Sequence, residues 1–158
     1  MSQVTHEQAE MLLKLYDLRR ETKLREARAW FIANFHPASF DEVGKNFPPG
    51  SEGGAYMRMV IGYWDMFANF SNRGLVDEEM TFETSGEQWL VWELMKPVIV
   101  EWRAASKNPF MAANLEEHAK RLEAWREKRA PGHNETMRRM IAQMTGAHPG
   151  AKSSTAGN

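Results

Sequence analysis

The residues of this chain best placed to do chemistry are two carboxylates, Asp65 and Glu93, each set in a densely apolar stretch. Asp65 follows Met59, Val60, Ile61, Tyr63 and Trp64, and Glu93 lies among Trp89, Leu90, Trp92 and Met95. A carboxylate held away from water either pairs with a base or has its pKa raised, and the second condition makes a general acid. A hydrolase using Asp65 or Glu93 is therefore the catalytic reading. Arg20, Arg58 and Lys96 are the bases that can neutralise them. Ion pairing is the preferred reading, because perturbed acids serve structure more often than catalysis.

The other chemistry-bearing types offer less. His6, His36, His118, His133 and His148 never stand three or four residues apart, and neither His-Glu-x-x-His nor Glu-x-x-His occurs. A helical metal site has no template here. His118 falls on an apolar helical stripe and reads as a partly buried packing residue with one hydrogen bond, rather than as a base. Ser39, Ser51, Ser71 and Ser85 lie at expected caps, loops or helix ends, outside any Gly-x-Ser-x-Gly elbow. With no cysteine, a thiolate metal site, a disulfide and a cysteine nucleophile are excluded. No catalytic, cofactor-binding or metal-binding residue is assigned on these grounds, and no cofactor is expected. The glycines between Phe47 and Gly54 suggest a phosphate cradle, but P-loop spacing and a Lys-Ser/Thr pair are missing, so the stretch reads as a linker.

Helices must position these groups. From Tyr56 to Phe70 the chain is apolar except at Arg58, Gly62, Asp65 and Asn69; with Asn72 these continue one narrow polar stripe at helical spacing. Such a helix is central and wrapped by others. Gly74 is placed for its left-handed cap, and Asp77 for the N-cap of the next helix. Upstream, Thr5-His6-Glu7-Gln8 fits a capping box, and no Gly or Pro intervenes before Pro37. One helix of about 30 residues is predicted, long by globular standards, with Arg20 on its apolar stripe facing an acid such as Asp65 or Glu93. Ser39-Phe40-Asp41-Glu42 starts a short helix. From Glu87 to about Ala105 a Trp-rich helix carries Pro97 inside it, which predicts a kink rather than a break. Asn108-Pro109 caps a fifth helix whose stripe is Met111, Leu115, His118, Leu122 and Trp125, and Asn134 to Met144 forms a last amphipathic segment. The fold class expected is all-α: a single-domain bundle of five or six helices over residues 1–145, with 146–158 a disordered tail of Gly, Ser, Ala and Pro.

At 158 residues, 42% hydrophobic and with six tryptophans, the chain can bury a core unaided by metal or disulfide. No stretch approaches the ~20 apolar residues of a membrane span, and no signal peptide is visible, so a cytoplasmic location is expected. The net charge is −1. Acids concentrate between Asp77 and Glu101 and bases between Lys120 and Arg139, which reads as two solvated faces of opposite sign. The basic helix lacks interleaved aromatics for base stacking, so nucleic acid is not expected as a partner.

Tyr63-Trp64-Asp65-Met66-Phe67, Arg73-Gly74-Leu75-Val76-Asp77-Glu78-Glu79 and the span from Trp89 to Trp102 with Arg103 beyond it can be taken as one unit. That unit resembles the bacterial family catalogued as domain of unknown function 4760, over roughly residues 10 to 130. The resemblance implies a compact helical domain and transfers no catalytic residue. Some relatives carry N-terminal membrane helices; none is expected in this chain.

The function expected is a non-enzymatic interaction or scaffold module that self-associates. A helix of about 45 Å outreaches a compact domain of this size, and Met11, Leu12, Leu13, Leu15 and Leu18 on its projecting half need a cover. A second copy is the expected partner, with the Asn134 to Met144 helix as the competing cover. A binder of a small apolar or amphipathic ligand in the bundle core is the alternative, and the hydrolase stands third.

Overall fold

The computed structural model describes residues 3–146, and their regular structure is all helical. Nine helices occur among the described residues rather than the five or six expected. The surplus comes mainly from two expected helices that are each divided. The chain forms two compact units, one ending at Leu122 and the other beginning at Glu123.

In the first unit, α1 (His6–Arg19) starts with the expected capping box: Thr5 and Gln8 each satisfy the other's backbone N–H. The single long helix does not form. Arg20 closes α1, and Glu21 opens α2 (Thr22–Asn34) by accepting the N–H groups of Lys23 and Leu24 at 3.0 and 2.9 Å. Arg28 of α2 then donates to the free carbonyl of Arg19 at 3.1 Å. Both new helix ends are thus satisfied without glycine or proline, which is why the division left no breaker in the sequence. The projecting 45 Å rod, and the argument for self-association drawn from its length, fall with it. Arg20 is exposed, packs over the Tyr16 ring, and meets neither Asp65 nor Glu93.

The short α3 (Phe40–Asn46) is capped by Ser39 as expected. The glycine-rich stretch after it is used for close packing. A Cβ on Gly53 would stand 2.8 Å from the Trp30 ring, and one on Gly54 would stand 2.5 Å from the Pro48 carbonyl oxygen. The missing side chains let α4 (Glu52–Asn72) start hard against α2, and Ser51 caps it through the N–H of Gly54.

The helix α4 is the centre of the unit. Val60, Trp64 and Phe67 are buried along it, and it packs on α2, where Phe31 and the C-cap residue Phe35 stack at 4.5 Å between ring centroids. Its polar stripe has two fates. Arg58 and Gly62 face solvent, whereas Asp65, Asn69 and Asn72 are half-buried and receive the start of α8 (Ala113–Arg129). Gly74, with φ of 72°, ends α4 as expected, and the Leu75 N–H returns to the Phe70 carbonyl. Asp77 caps α5 (Glu78–Thr84) through the Met80 N–H.

Pro97 breaks the Trp-rich helix rather than kinking it. The two pieces are α6 (Glu87–Met95) and α7 (Ile99–Ser106), joined by a turn in which the Val98 N–H reaches the Met95 carbonyl at 3.0 Å. Proline supplies no N–H and crowds the preceding turn. Val98 and Ile99 stay buried, so the apolar face runs on across the break.

Pro109 does not open α8. Residues 108–112 form a turn in which the Asn108 side chain accepts the Phe110 N–H and Ala112 adopts a left-handed φ of 51°. The helix begins at Ala113, where α4 supplies the cap.

The second unit holds the end of α8 and α9 (His133–Thr145), joined through Pro131 and Gly132. Asn134 is buried and donates to the Glu123 carbonyl at 2.9 Å, Glu127 accepts the Gly132 N–H, and Arg138 pairs with Glu123 at 2.6 Å. The last helix forms where Asn134 to Met144 predicted one, and Gly146 ends it with φ of 71°. The expected tail beyond Gly146 lies outside the described residues.

Candidate functional site

The two carboxylates singled out by sequence are both engaged by their neighbours. Asp65 accepts the Leu115 backbone N–H at 3.0 Å through one oxygen and the Asn114 side-chain amide at 3.1 Å through the other. It is the N-terminal cap of α8, supplied from another helix, and its charge faces the positive end of the α8 dipole. Asn69 and Asn72 complete the seat by donating to the Asn114 side chain and backbone, both at 3.1 Å. Glu93 pairs with Lys96 one turn along, as the ion-pair reading expects. The two acids are therefore not brought to one site with a shared partner.

His118 is fully buried, more than sequence suggested, and neither ring nitrogen has a hydrogen-bond partner among the described residues. The Phe67 and Phe82 rings lie 5.9 and 5.2 Å from it, centroid to centroid. Burial, helped by the nearby Arg121 charge, pushes its pKa down to about 4. The imidazole is neutral at pH 7 and sealed from substrate.

A groove on the surface of the first unit is the better site. Leu12, Leu13, Tyr16 and Arg19 of α1 form one wall. Tyr63 and Phe67 of α4 form the floor, and Thr84 and Ser85 at the end of α5 face α1. Its volume is about 240 Å³. That exceeds the ~150 Å³ of a cavity able to hold benzene and falls short of the ~300 Å³ typical of a drug-sized pocket, so one ring or a short alkyl chain fits.

The polar groups of this groove are ordered from behind. Tyr63 donates its hydroxyl to the Leu15 carbonyl at 2.5 Å, and burial pushes its pKa up to about 12. Gln88, buried in α6, accepts the Ser85 hydroxyl proton at 2.8 Å and donates to the Ser85 carbonyl at 3.1 Å. Ser85 is left to accept from Arg19 Nη1 at 3.2 Å. The Arg19 guanidinium also lies over the Tyr16 ring, 4.8 Å from its centroid, and 5.7 Å from that of Trp64. Next to it, Arg28 and Glu87 form a two-point pair at 2.8 and 2.5 Å, and Glu87 also accepts the Trp64 indole N–H at 3.3 Å.

Residues 4–122 match the model of a family described as domain of unknown function (DUF4760). The chain belongs to that family. No curated protein and no solved structure matches it. The DUF4760 match stops at 122, where the first compact unit also stops, so the groove lies wholly inside the DUF4760 domain. Among the described residues no helix is long and apolar enough to cross a membrane, and no cluster of three metal-ligating side chains occurs.

Sequence reasoning weighs Ser85 only as a nucleophile and gives Arg19 and Tyr16 no role in a site. The available signal was Tyr16 three residues before an arginine pair, of which the wrong member, Arg20, was placed on the stripe. The basic residues of α8 in this DUF4760 domain are drawn into pairs: Lys120 with Glu116, and Arg121 with Glu78 at 2.7 Å, which ties the basic segment to the acidic one.

Proposed function

We propose that this DUF4760 protein is a non-enzymatic binding module whose binding surface is the α1 groove, and that the ligand is small and apolar or amphipathic. The observation that carries this reading is an open apolar groove with an ordered guanidinium in its wall. The ligand sits beside the bundle core rather than inside it, because Trp64, Phe31 and Leu115 already fill the core. The engaged states of Asp65 and Glu93 favour binding over hydrolysis. A cytoplasmic location belongs to the same proposal, as does independence from nucleic acid, which the pairing of Lys120 with Glu116 and of Arg121 with Glu78 supports.

Native mass spectrometry of the chain purified from its own host tests it. A retained small mass on the unmodified chain, lost from a Leu13→Glu variant, is expected. A bare chain in both preparations overturns the reading.

Self-association remains as a second reading on one observation. Leu13 and Leu18 of α1 are 64% and 53% exposed, and a second copy would cover them. Light scattering at tens of micromolar, on the chain and on a Leu13→Glu, Leu18→Glu variant, decides it: a dimer mass lost on substitution supports pairing, and a monomer mass throughout rejects it.

A further inference from the structure

We propose that the groove selects a carboxylate: its ligand is a small apolar monocarboxylate whose head group is held by Arg19. This rests on the groove being a binding site and adds the chemical class of what it binds.

Four arginines of the first unit are half-buried, namely Arg19, Arg28, Arg103 and Arg121. Three of them meet a carboxylate: Arg28 meets Glu87, Arg103 meets Glu116 at 2.8 Å, and Arg121 meets Glu78. Arg19 is the exception. Its hydrogen bond goes to a neutral hydroxyl and its plane rests on Tyr16, with no Asp or Glu paired to it among the described residues. Withdrawing a cation partly from water without a counter-ion is unfavourable, and the other three sites show how this fold ordinarily avoids it. A guanidinium has five donors in a planar fork that matches a carboxylate edge. One donor holds Ser85, whose own proton is committed to Gln88, so the serine steadies Arg19 without neutralising it.

The rest of the groove sets what the carboxylate is attached to. Leu12, Leu13, Tyr63 and Phe67 are apolar or have their polar atom turned away, since the Tyr63 hydroxyl is occupied by the Leu15 carbonyl. The volume of about 240 Å³ admits a phenyl ring or a short alkyl chain. Phenylacetate and octanoate are of this class; inorganic phosphate offers the charge without the apolar body, and the corresponding amides offer the body without the charge.

The unmodified chain is titrated with phenylacetate and octanoate, with their primary amides, and with inorganic phosphate, and followed by calorimetry and by the NMR signals of Tyr16 and Phe67. Saturable carboxylate binding is expected, with each amide at least tenfold weaker and phosphate weaker still. Arg19→Gln should lower carboxylate affinity at least tenfold and narrow the difference in affinity between each acid and its amide. Arg19→Lys should retain part of the affinity, because it keeps the charge and loses the fork. The amide arm uses the unmodified chain, so the test survives a variant that fails to fold. Equal affinity for acid and amide, or phosphate binding as tight as octanoate, overturns the carboxylate assignment. Saturable amide binding at the groove alone leaves the binding-module reading standing while this inference falls. Absence of carboxylate binding overturns the inference, and the retained mass from the native host then judges the wider reading separately.

Discussion

Trp64 is fully buried, and its ring lies edge-on to Tyr63 and Phe67 at 4.9 and 5.1 Å between centroids. Trp64→Ala should cost about 3–5 kcal/mol, as large-to-small changes at filled sites do, because the surrounding rings cannot collapse into the space. A denaturation midpoint within a few per cent of the unmodified chain would count against that packing. His118 makes a different prediction. Its folded pKa, about 4, lies below the ordinary 6.5, so the unfolded chain binds the proton more readily. Stability from this residue is complete above about pH 6.5, declines as pH falls, and is lost below about pH 4, an effect of roughly 3 kcal/mol. His118→Leu should therefore unfold with a smaller loss of stability between pH 7 and pH 4.5 than the parent. Denaturant titrations at both pH values measure the difference, and identical losses would place the imidazole in contact with water.

At the scale of elements, the joints matter more than the helices. Arg28 and Glu87 join α2 to α6, and through the Arg19 carbonyl and the Trp64 indole they also hold the end of α1 and the middle of α4. Glu87→Ala leaves a half-buried guanidinium and an indole N–H without their partner and should cost about 2–4 kcal/mol. The Arg28→Ala, Glu87→Ala double variant should lose clearly less than the sum of the single losses, because the second deletion removes the stranded charge. Additive losses in a double-mutant cycle would mean that the two side chains act independently. Asp65 is the corresponding joint for α8. Asp65→Ala uncaps the helix and strands the Leu115 N–H, a loss of about 1–3 kcal/mol. Hydrogen exchange should speed up first at the start of α8, and unchanged protection at Leu115 would assign the cap elsewhere.

For the molecule as a whole, the boundary at Leu122 coincides with the end of the family match. The groove, the Arg28–Glu87 joint and the α8 cap all fall before it, so the properties proposed here belong to the family domain. Residues 147–158 carry no large apolar side chain and have little to bury against the entropy of ordering them. Ending the chain at Gly146 should leave the melting temperature within a degree or two, and a larger drop would assign that segment a packing role.

Short-range physics made much of this fold legible before any coordinates. The 3.6-residue spacing around Trp64 marked α4 as central, Thr5 and Gln8 marked the start of α1, and Gly74 marked the end of α4, because periodicity, caps and left-handed glycines depend on residues a few positions apart. Even the division after Arg19 was partly local: Glu21 caps α2, but glutamate is outside the usual capping set and gave no warning. What tertiary structure alone decided were the partners. Asp65 reads as a buried acid until Leu115, fifty residues on, presents its N–H. Arg19 and Arg20 are adjacent and chemically identical, and only the turn between α1 and α2 puts one against Ser85 in the groove and the other in solvent. A pattern along one helix states which face is apolar; it does not state which distant group will meet the polar residue at that face's edge, and there the distinction between an ion pair, a cap and an anion site is made.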